Sequence, residues 1–319
     1  MAPPRLNTRG DEVLFRAGTG SFALLLIAIV GAIALALYEG SRLSIQAFGW
    51  QFWRTDTWDP VVGQFGARPF IWGTLYSSIL ALIISTPVAL GIAIYISELA
   101  PEALRRPLVF VTELLAAIPS IVYGLWGIFV LVPFVRGLQV ATPEWLRGVP
   151  LFEGPPLGVG MLSAALILSI MVIPFSSSVA REVLKAVPQS QREGAYALGA
   201  TRWEAIRMAL FYARTGIVGA VMLGFGRALG ETMAVTMVIG NSPNISLSLY
   251  APQYTMAAVL ANEFAEATDD LYLNALVEIG LVLFAITLVI NIISRTFIWS
   301  MDRQRRPRLV RTAAMRAGA

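Results

Sequence analysis

Six long apolar runs constrain the fold of this 319-residue chain more than any other feature. They cover Phe22–Tyr38, Phe70–Ile96, Leu108–Phe134, Val159–Phe175, Ile217–Ile239 and Ile279–Trp299. A helix of roughly 20 residues crosses the ~30 Å hydrocarbon core of a bilayer, whereas barrel strands are shorter and alternate between apolar and polar residues. Charged residues make up only 14% of the chain, against about 25% in a soluble protein. The sequence therefore predicts an all-α, polytopic membrane protein with six transmembrane helices.

The placement of the basic residues predicts the orientation of the chain. Of the 24 Lys and Arg residues, Arg227 lies inside the fifth run. Five lie in loops on one side, namely Arg42, Arg54, Arg68, Arg136 and Arg147, and all the others lie on the opposite side. Because cytoplasmic loops carry an excess of Lys and Arg, that opposite side, which holds both termini, is predicted to be cytoplasmic. The positions of the basic residues in the loops thus account for the net charge of +4, so nucleic acid is not an expected partner.

These assignments divide the chain into four parts. They are a cytoplasmic N-terminal segment (1–20), the first transmembrane helix and an outer loop (21–69), a membrane domain with a cytoplasmic loop at 189–212 (70–300), and a basic cytoplasmic tail facing anionic lipid (301–319). The first run ends in AIALALY, whose A-x-A steps a signal peptidase accepts. Retention of the first helix is favoured because Asp11 and Glu12 dilute the basic leader, and cleavage would leave five spans in the same orientation.

Missing residue types exclude several kinds of chemistry. The chain contains no Cys and no His, so disulfides and Cys-based zinc or iron–sulfur sites are excluded and no metal site is predicted. A P-loop needs a lysine that follows a Gly-rich turn, and the single lysine, Lys185, has no glycine near it. The chain is therefore predicted to bind no cofactor and to catalyse no covalent reaction, and any chemistry of ATP and Mg²⁺ belongs to a partner.

The cytoplasmic loop at 189–212, which we call the elbow, has a pattern of two short helices. Ser190 and Glu193 fit a capping box at the start of the first helix, and Gly199 suits the left-handed turn that ends it. Thr201 and Glu204 then repeat the box before RWEAIRMAL. The elbow is either an amphipathic linker on the membrane surface or a docking element for a cytoplasmic motor.

A family resemblance favours docking. EGAYALG, with Glu193, Gly194, Ala195 and Gly199, resembles the E-A-A-x-x-x-G signature of ABC importer permeases. In that family this loop is the coupling helix that sits in a cleft of the ATPase subunit. The resemblance implies that these residues, together with Thr201 and Glu204, couple the chain to an ATPase. The family pattern continues to a proline, which IRMALFY lacks, so the exit from the elbow into the fifth span is expected to be less kinked.

A closer resemblance concerns the cargo. GRALGETMAVTMVIGN, ELLAAIPSIVYGLWG, FGARPFIWGTLYSS and ANEFAEA resemble the PstC family of phosphate importer permeases, over about residues 58–300. This implies a type I ABC importer (MetI-like) permease fold in the cell (inner) membrane. It also implies four kinds of partner: a second, PstA-like permease, two PstB-like ATPases, a PstS-like phosphate-binding protein, and lipid. A PstA-like sister permease, another oxyanion permease, an ATP-independent anion transporter and a membrane scaffold or signalling partner stay open as alternatives.

Arg227 in GRALGET is predicted to line the path of the anion. A guanidinium stays charged and binds phosphate oxygens through two parallel hydrogen bonds. Placing an arginine at the centre of a membrane helix costs about 2.5–3.5 kcal/mol on insertion scales, so its side chain must face protein or water. Glu231, one turn further on, is expected on the same helix face, where it neutralises Arg227 or accepts a hydrogen bond from a protonated phosphate oxygen. Thr232 and Thr236 would add polar contacts, and resemblance implies that Arg227 and Glu231 line the path. The alternative is a buried Arg–Glu pair that holds the fifth span to a neighbour.

Two residues of the third run are secondary candidates. Glu113 lies near the cytoplasmic end, where it pairs either with Arg105, Arg106 or a partner subunit, or serves the path. Pro119 interrupts the helical hydrogen bonds and is interpreted as a tolerated bend in preference to a gating kink.

Overall fold

The computed structural model describes residues 8–303, which form helices and connecting segments with no β-strand between them. The α-helices are α1 (Thr8–Gly40), α2 (Arg42–Phe48), α3 (Arg68–Ile94), α4 (Glu102–Ala117), α5 (Ser120–Trp126), α6 (Val132–Ala141), α7 (Glu144–Arg147), α8 (Met161–Lys185), α9 (Gln189–Ala197), α10 (Arg202–Leu229), α11 (Met233–Thr236), α12 (Met256–Glu263) and α13 (Asp270–Arg303). A 3₁₀ turn covers Gly49–Trp53, and π-helical turns cover Tyr95–Leu99 and Gly127–Leu131. The start of the predicted N-terminal segment and most of the predicted basic tail lie outside the described residues.

Six helical stretches within residues 8–303 are long and apolar enough to cross a membrane, which confirms the predicted all-α architecture with six transmembrane helices. These spans are Glu12–Gly40, Arg68–Leu99, Ser120–Ala141, Met161–Lys185, Arg202–Leu229 and Asp270–Met301. Four of them overlap the predicted runs and differ mainly in how far polar residues prolong the helix at its ends. The third and fifth spans differ from the prediction for local reasons.

The third span begins later than predicted because Pro119 ends a helix. Helix α4 stops at Ala117, and both Ile118 and Pro119 adopt extended backbone angles before α5 starts at Ser120. Proline has no N–H to donate and disfavours the helical conformation of the residue before it. The expected bend is therefore a complete break, and the predicted run Leu108–Phe134 is divided between α4 and the third span, Ser120–Ala141.

The fifth span starts earlier and ends earlier than predicted. Helix α10 runs without interruption from Arg202 to Leu229, so the second helix of the elbow is continuous with the span, and the less kinked exit expected from the missing proline is confirmed. At the other end, residues 230–232 leave the helix, and only the short α11 follows. The single helix predicted to reach Ile239 is therefore wrong.

Helix α8 forms the centre of the bundle and packs mainly against α3 and α10. Small residues allow α10 to approach it closely, because a Cβ at Gly224 would collide with the Ser176 hydroxyl and a Cβ at Gly216 would press on the Val183 side chain. Helix α1 packs on α13 and is otherwise exposed along its apolar length. A face of this composition suits contact with lipid.

The segment between α11 and α12 covers the start of α8. Carbonyl groups of Val238, Leu249 and Ala251 accept hydrogen bonds from the N–H groups of Gly160, Leu162 and Met161, at 2.9, 2.7 and 3.1 Å respectively. The first turn of a helix has N–H groups without intrahelical partners, so this segment completes the hydrogen bonding of α8 and is fixed by it.

The same segment is clamped against α3, which gives a prediction about stability. A Cβ at Gly73 would collide with the backbone carbonyl of Tyr254, and this backbone is held in place because the Met256 N–H donates to Thr74 Oγ1 at 2.9 Å. Gly73→Ala is therefore expected to lower the free energy of unfolding by about 1–3 kcal/mol.

The control is Gly91→Ala on the same helix, where a Cβ meets open space and alanine improves helix propensity. The measurement is the thermal unfolding midpoint of the purified protein in detergent. Equal midpoints for the two variants would show that the Tyr254 backbone yields.

Candidate functional site

Arg227 lies in the last turn of α10, and its side chain is exposed on this chain. Its guanidinium carbon is 5.9 Å from the centre of the Phe175 ring on α8, which is within range of a cation–π contact. The partial negative charge at the C-terminal end of a helix also favours a cation. These two interactions orient the side chain but do not neutralise it, so the charge stays available to an anion.

Glu231 is not on the same helix as Arg227, because α10 ends at Leu229. Its backbone N–H still reaches the Ala228 carbonyl at 3.4 Å, but the chain has left the helix at this point. Among the described residues, no ion pair joins Arg227 to Glu231. The expectation of a neutralising pair on one helix face is therefore wrong, although the two charges remain close in sequence on either side of the helix end.

Thr232 and Thr236 stabilise the segment that follows the break. The Thr232 hydroxyl donates to the Gly230 carbonyl at 3.3 Å, and the Thr236 hydroxyl donates to the Thr232 carbonyl at 2.8 Å. The Asn241 side-chain amide donates to the Thr236 carbonyl at 2.9 Å. Both hydroxyl protons are thus occupied in this conformation, and each oxygen keeps lone pairs that accept hydrogen bonds.

Glu113 contacts an arginine that the sequence reasoning missed. Its Oε1 lies 3.4 Å from Nη2 of Arg181 on α8, and Arg105 and Arg106 do not pair with it. Arg181 is 5% exposed, also contacts Glu182 at 2.9 Å, and leaves its Nε and Nη1 without a hydrogen-bond partner. The predicted fourth span ends at Phe175, which leaves Arg181 in the loop that follows it. The available signal is AREVLK (residues 180–185), which contains mostly helix formers.

The elbow follows the prediction in part. Helix α9 begins after Pro188, and no side chain caps its start, so the proposed box of Ser190 and Glu193 is wrong. Gly199 has a φ of 82°, as expected for the left-handed turn. The second box is confirmed: the Thr201 N–H donates to Glu204 Oε2 at 2.7 Å, and the Glu204 N–H donates to Thr201 Oγ1 at 3.4 Å.

The surface of the elbow that faces away from the helix bundle is exposed and accessible to another protein. No residue of α9 is buried, and the turn presents large apolar side chains: Leu198 is 90% exposed, Trp203 62% and Tyr196 50%. Apolar side chains that project together into solvent mark interaction sites. Glu193, Gly194 and Gly199 are exposed beside them, and Ala195 is half-buried.

Helix α10 connects the elbow to Arg227. From Arg202 to Arg227 it is a continuous helix, which at 1.5 Å per residue spans roughly 38 Å. A rigid helix of this length transmits a displacement at one end to the other.

Within residues 8–303, no group of three or more acidic side chains is arranged to hold a metal ion.

Similarity to known proteins extends over most of the chain. Residues 86–306 match the family described as "Binding-protein-dependent transport system inner membrane component". The chain is 46% identical over 297 residues to the phosphate transport system permease protein PstC of Mesorhizobium japonicum, which covers 91% of each chain. It is 47% identical over 303 residues to the protein of the same name in Haemophilus influenzae, covering 93% of this chain and 96% of the relative.

Similarity also reaches an archaeal relative and a solved structure. A probable PstC of Methanocaldococcus jannaschii is 39% identical over 279 residues, covering 85% of this chain and 89% of the relative. A structure of the MetNI methionine ABC transporter in inward-facing conformations matches with a TM-score of 0.53 at 17% identity, covering 72% of this chain and 93% of that one. At this identity the structural match concerns the fold alone, and it confirms the MetI-like fold expected from the sequence.

Proposed function

The chain belongs to the family of binding-protein-dependent transport system inner membrane components, and we propose that it is the permease subunit through which an ATP-driven importer moves inorganic phosphate. The family consists of transport components, and the chain is a multi-pass membrane protein. The phosphate assignment is supported most directly by the 46–47% identity to PstC proteins over more than nine-tenths of the chain.

The location of Arg227 supports an anionic cargo. The side chain is exposed on a single permease, although it lies at the end of a membrane-spanning helix, where contact with lipid is costly. A second, similar permease must therefore cover this surface, and the exposed arginine faces the path between the two. Its planar group of donors suits phosphate oxygens. Glu231 supplies an acceptor for a protonated phosphate oxygen, and the acceptor oxygens of Thr232 and Thr236 add to the polar surface of the path.

The remaining assembly follows from the elbow. Its exposed apolar turn docks into one ATPase subunit, and the second permease docks another, so ATP and Mg²⁺ are bound by the partners. Because the elbow must face the ATPases, it lies in the cytoplasm with both termini, and the outer loops receive the phosphate-loaded binding protein. Closure of the ATPases displaces the elbow, and α10 carries this displacement to the segment around Arg227.

The experiment that tests this function is transport by the purified complex in proteoliposomes. With ATP in the compartment that contains the ATPases and loaded binding protein on the other side, we expect accumulation of radiolabelled phosphate but not of sulfate. Omission of either ATP or the binding protein is expected to stop accumulation. Transport of phosphate without ATPase subunits would identify a channel or secondary transporter, and transport of sulfate in preference to phosphate would identify another oxyanion permease.

A further inference from the structure

One arginine of the elbow holds three structural elements together. Arg192 lies on α9, and its Nε and Nη2 donate to Oε2 and Oε1 of Glu98 at 3.2 and 2.6 Å. The same guanidinium donates to the carbonyl groups of Val187, at 2.9 Å, and Leu184, at 3.0 Å. Leu184 belongs to the last turn of α8, whose carbonyls have no partner within the helix. Arg192 thus connects α9 to the inner end of the fourth span and to Glu98.

Glu98 lies in the π-helical turn Tyr95–Leu99, which ends the second span. Isolated π-helical turns are frequent at functional sites because they interrupt the regular hydrogen bonds of a helix. The second arm of the elbow also contacts this residue, since Nη2 of Arg202 donates to the Glu98 carbonyl at 2.7 Å. The helices on either side of Gly199 therefore both contact Glu98, α9 at its carboxylate and α10 at its carbonyl.

Burial distinguishes this pair from the other ion pairs between residues 8 and 303. The side chains of Arg192 and Glu98 are 19% and 11% exposed, and in every other pair at least one partner is more than half exposed. A contact between two carboxylate oxygens and one guanidinium has a defined geometry. At this burial it is little screened by water, unlike surface pairs, which contribute little.

We propose that the Glu98–Arg192 pair is the positioning contact that makes the second span move with the elbow when the ATPases close. The proposal rests on the proposed function, because it presupposes that an ATPase moves the elbow. A displacement of α9 reaches the fifth span directly along the chain, since α10 continues from the elbow. It reaches the fourth span along the chain as well, because only three residues separate α8 from α9. It reaches the second span, which is distant along the chain, through Glu98. Without the pair, the second span keeps only the Arg202 contact with the Glu98 carbonyl and its packing on α8 and α10, and its end follows the elbow less closely.

The first test separates ATP hydrolysis from transport. In the purified complex, Glu98→Gln keeps the size of the side chain and removes its charge. We expect assembly and ATP hydrolysis within about twofold of the wild type, and a fall of at least about tenfold in phosphate imported per ATP hydrolysed, a change typical of lost coupling between sites. The matched control is Lys185→Gln, which breaks an exposed pair with Glu182 at the end of α8 and is expected to leave the ratio unchanged.

The second test restores the connection by covalent means. Because the chain contains no cysteine, a Glu98→Cys/Arg192→Cys variant carries only these two thiols in this subunit. We expect the double variant to be uncoupled and a short, thiol-reactive bis(methanethiosulfonate) cross-linker, which forms a disulfide with each cysteine and releases methanesulfinate, to restore import; reduction of these disulfides then removes import again. This readout responds to the mechanical connection and not to the charges themselves.

The outcomes are distinguishable. An unchanged ratio in Glu98→Gln, or a cross-linked pair that stays uncoupled, would overturn the proposal, as would a variant whose only defect is poor assembly with a normal ratio in the complexes that form. If the wild-type complex itself fails to couple ATP hydrolysis to phosphate import, the proposed function fails. A wild type that imports normally, with an equally normal Glu98→Gln variant, removes only the role of the pair.

Discussion

Arg227→Gln is expected to reduce phosphate uptake by about 100-fold or more, while the complex assembles at the wild-type level. In the proposed path Arg227 pairs with phosphate. Removing one partner of a desolvated, hydrogen-bonded charge pair of this kind costs about 2–5 kcal/mol, and about 2.8 kcal/mol corresponds to a 100-fold change. The residue makes no ion pair among the described residues and is held only by the Phe175 ring and the helix end. Its loss should therefore affect the anion and leave the fold intact. The measurement is uptake of radiolabelled phosphate, with complex assembly quantified in parallel.

Two further variants make this result specific. Arg227→Lys keeps the charge but loses the paired donors of the guanidinium, so we expect uptake between those of the wild type and the glutamine variant. Arg68→Gln removes an arginine from an exposed pair with Asp56 and should leave uptake unchanged, which controls for loss of any positive charge. Normal uptake in an assembled Arg227→Gln complex would assign the residue a structural role, and the phosphate assignment would then rest on similarity alone.

The features that could be predicted from the sequence are those that depend on composition or on residues close together along the chain. Composition and apolar runs are enough for six spans, because a membrane helix must satisfy its own hydrogen bonds over a fixed length. The turn at Gly199 and the cap at Thr201 depend only on residues close in sequence, and both are present. Arg227 can be selected as a candidate site residue because a charged side chain within a membrane-spanning run is energetically costly and typically has a function.

The errors come from contacts between distant segments and from local competition. The helix around Arg227 ends at Leu229 because the following residues find other hydrogen-bond partners, which periodicity alone does not indicate. Ser190 is not a cap because α9 already begins at Gln189, with Pro188 in the N-cap position. The pair of Glu98 and Arg192 joins residues 94 positions apart, and no local pattern announces such a contact.

Replacing residues 189–201 with a Gly/Ser linker of equal length is expected to abolish phosphate uptake and to prevent the ATPase subunits from co-purifying. The replaced segment contains Glu193 and two of the three exposed apolar side chains of the turn, Tyr196 and Leu198, and it lies outside the spans. Its removal therefore leaves the apolar length that inserts into the membrane. Insertion is checked by the amount of protein in the membrane fraction, and docking by the ATPase retained on the tagged permease. Retained uptake would mean that coupling does not pass through the elbow.

A pair of substitutions at Gly199 tests the shape of the turn without removing any contact. With a φ of 82°, the position tolerates asparagine, whereas valine is strained there by about 1–3 kcal/mol. We expect Gly199→Asn to keep most uptake and Gly199→Val to lose it in proportion to the ATPase that no longer co-purifies. A Cβ at this position meets no neighbouring atom, so the two variants differ in backbone strain and not in crowding. If both variants transport alike, the orientation of α9 relative to α10 is not what the ATPase requires, and docking depends on the exposed side chains alone.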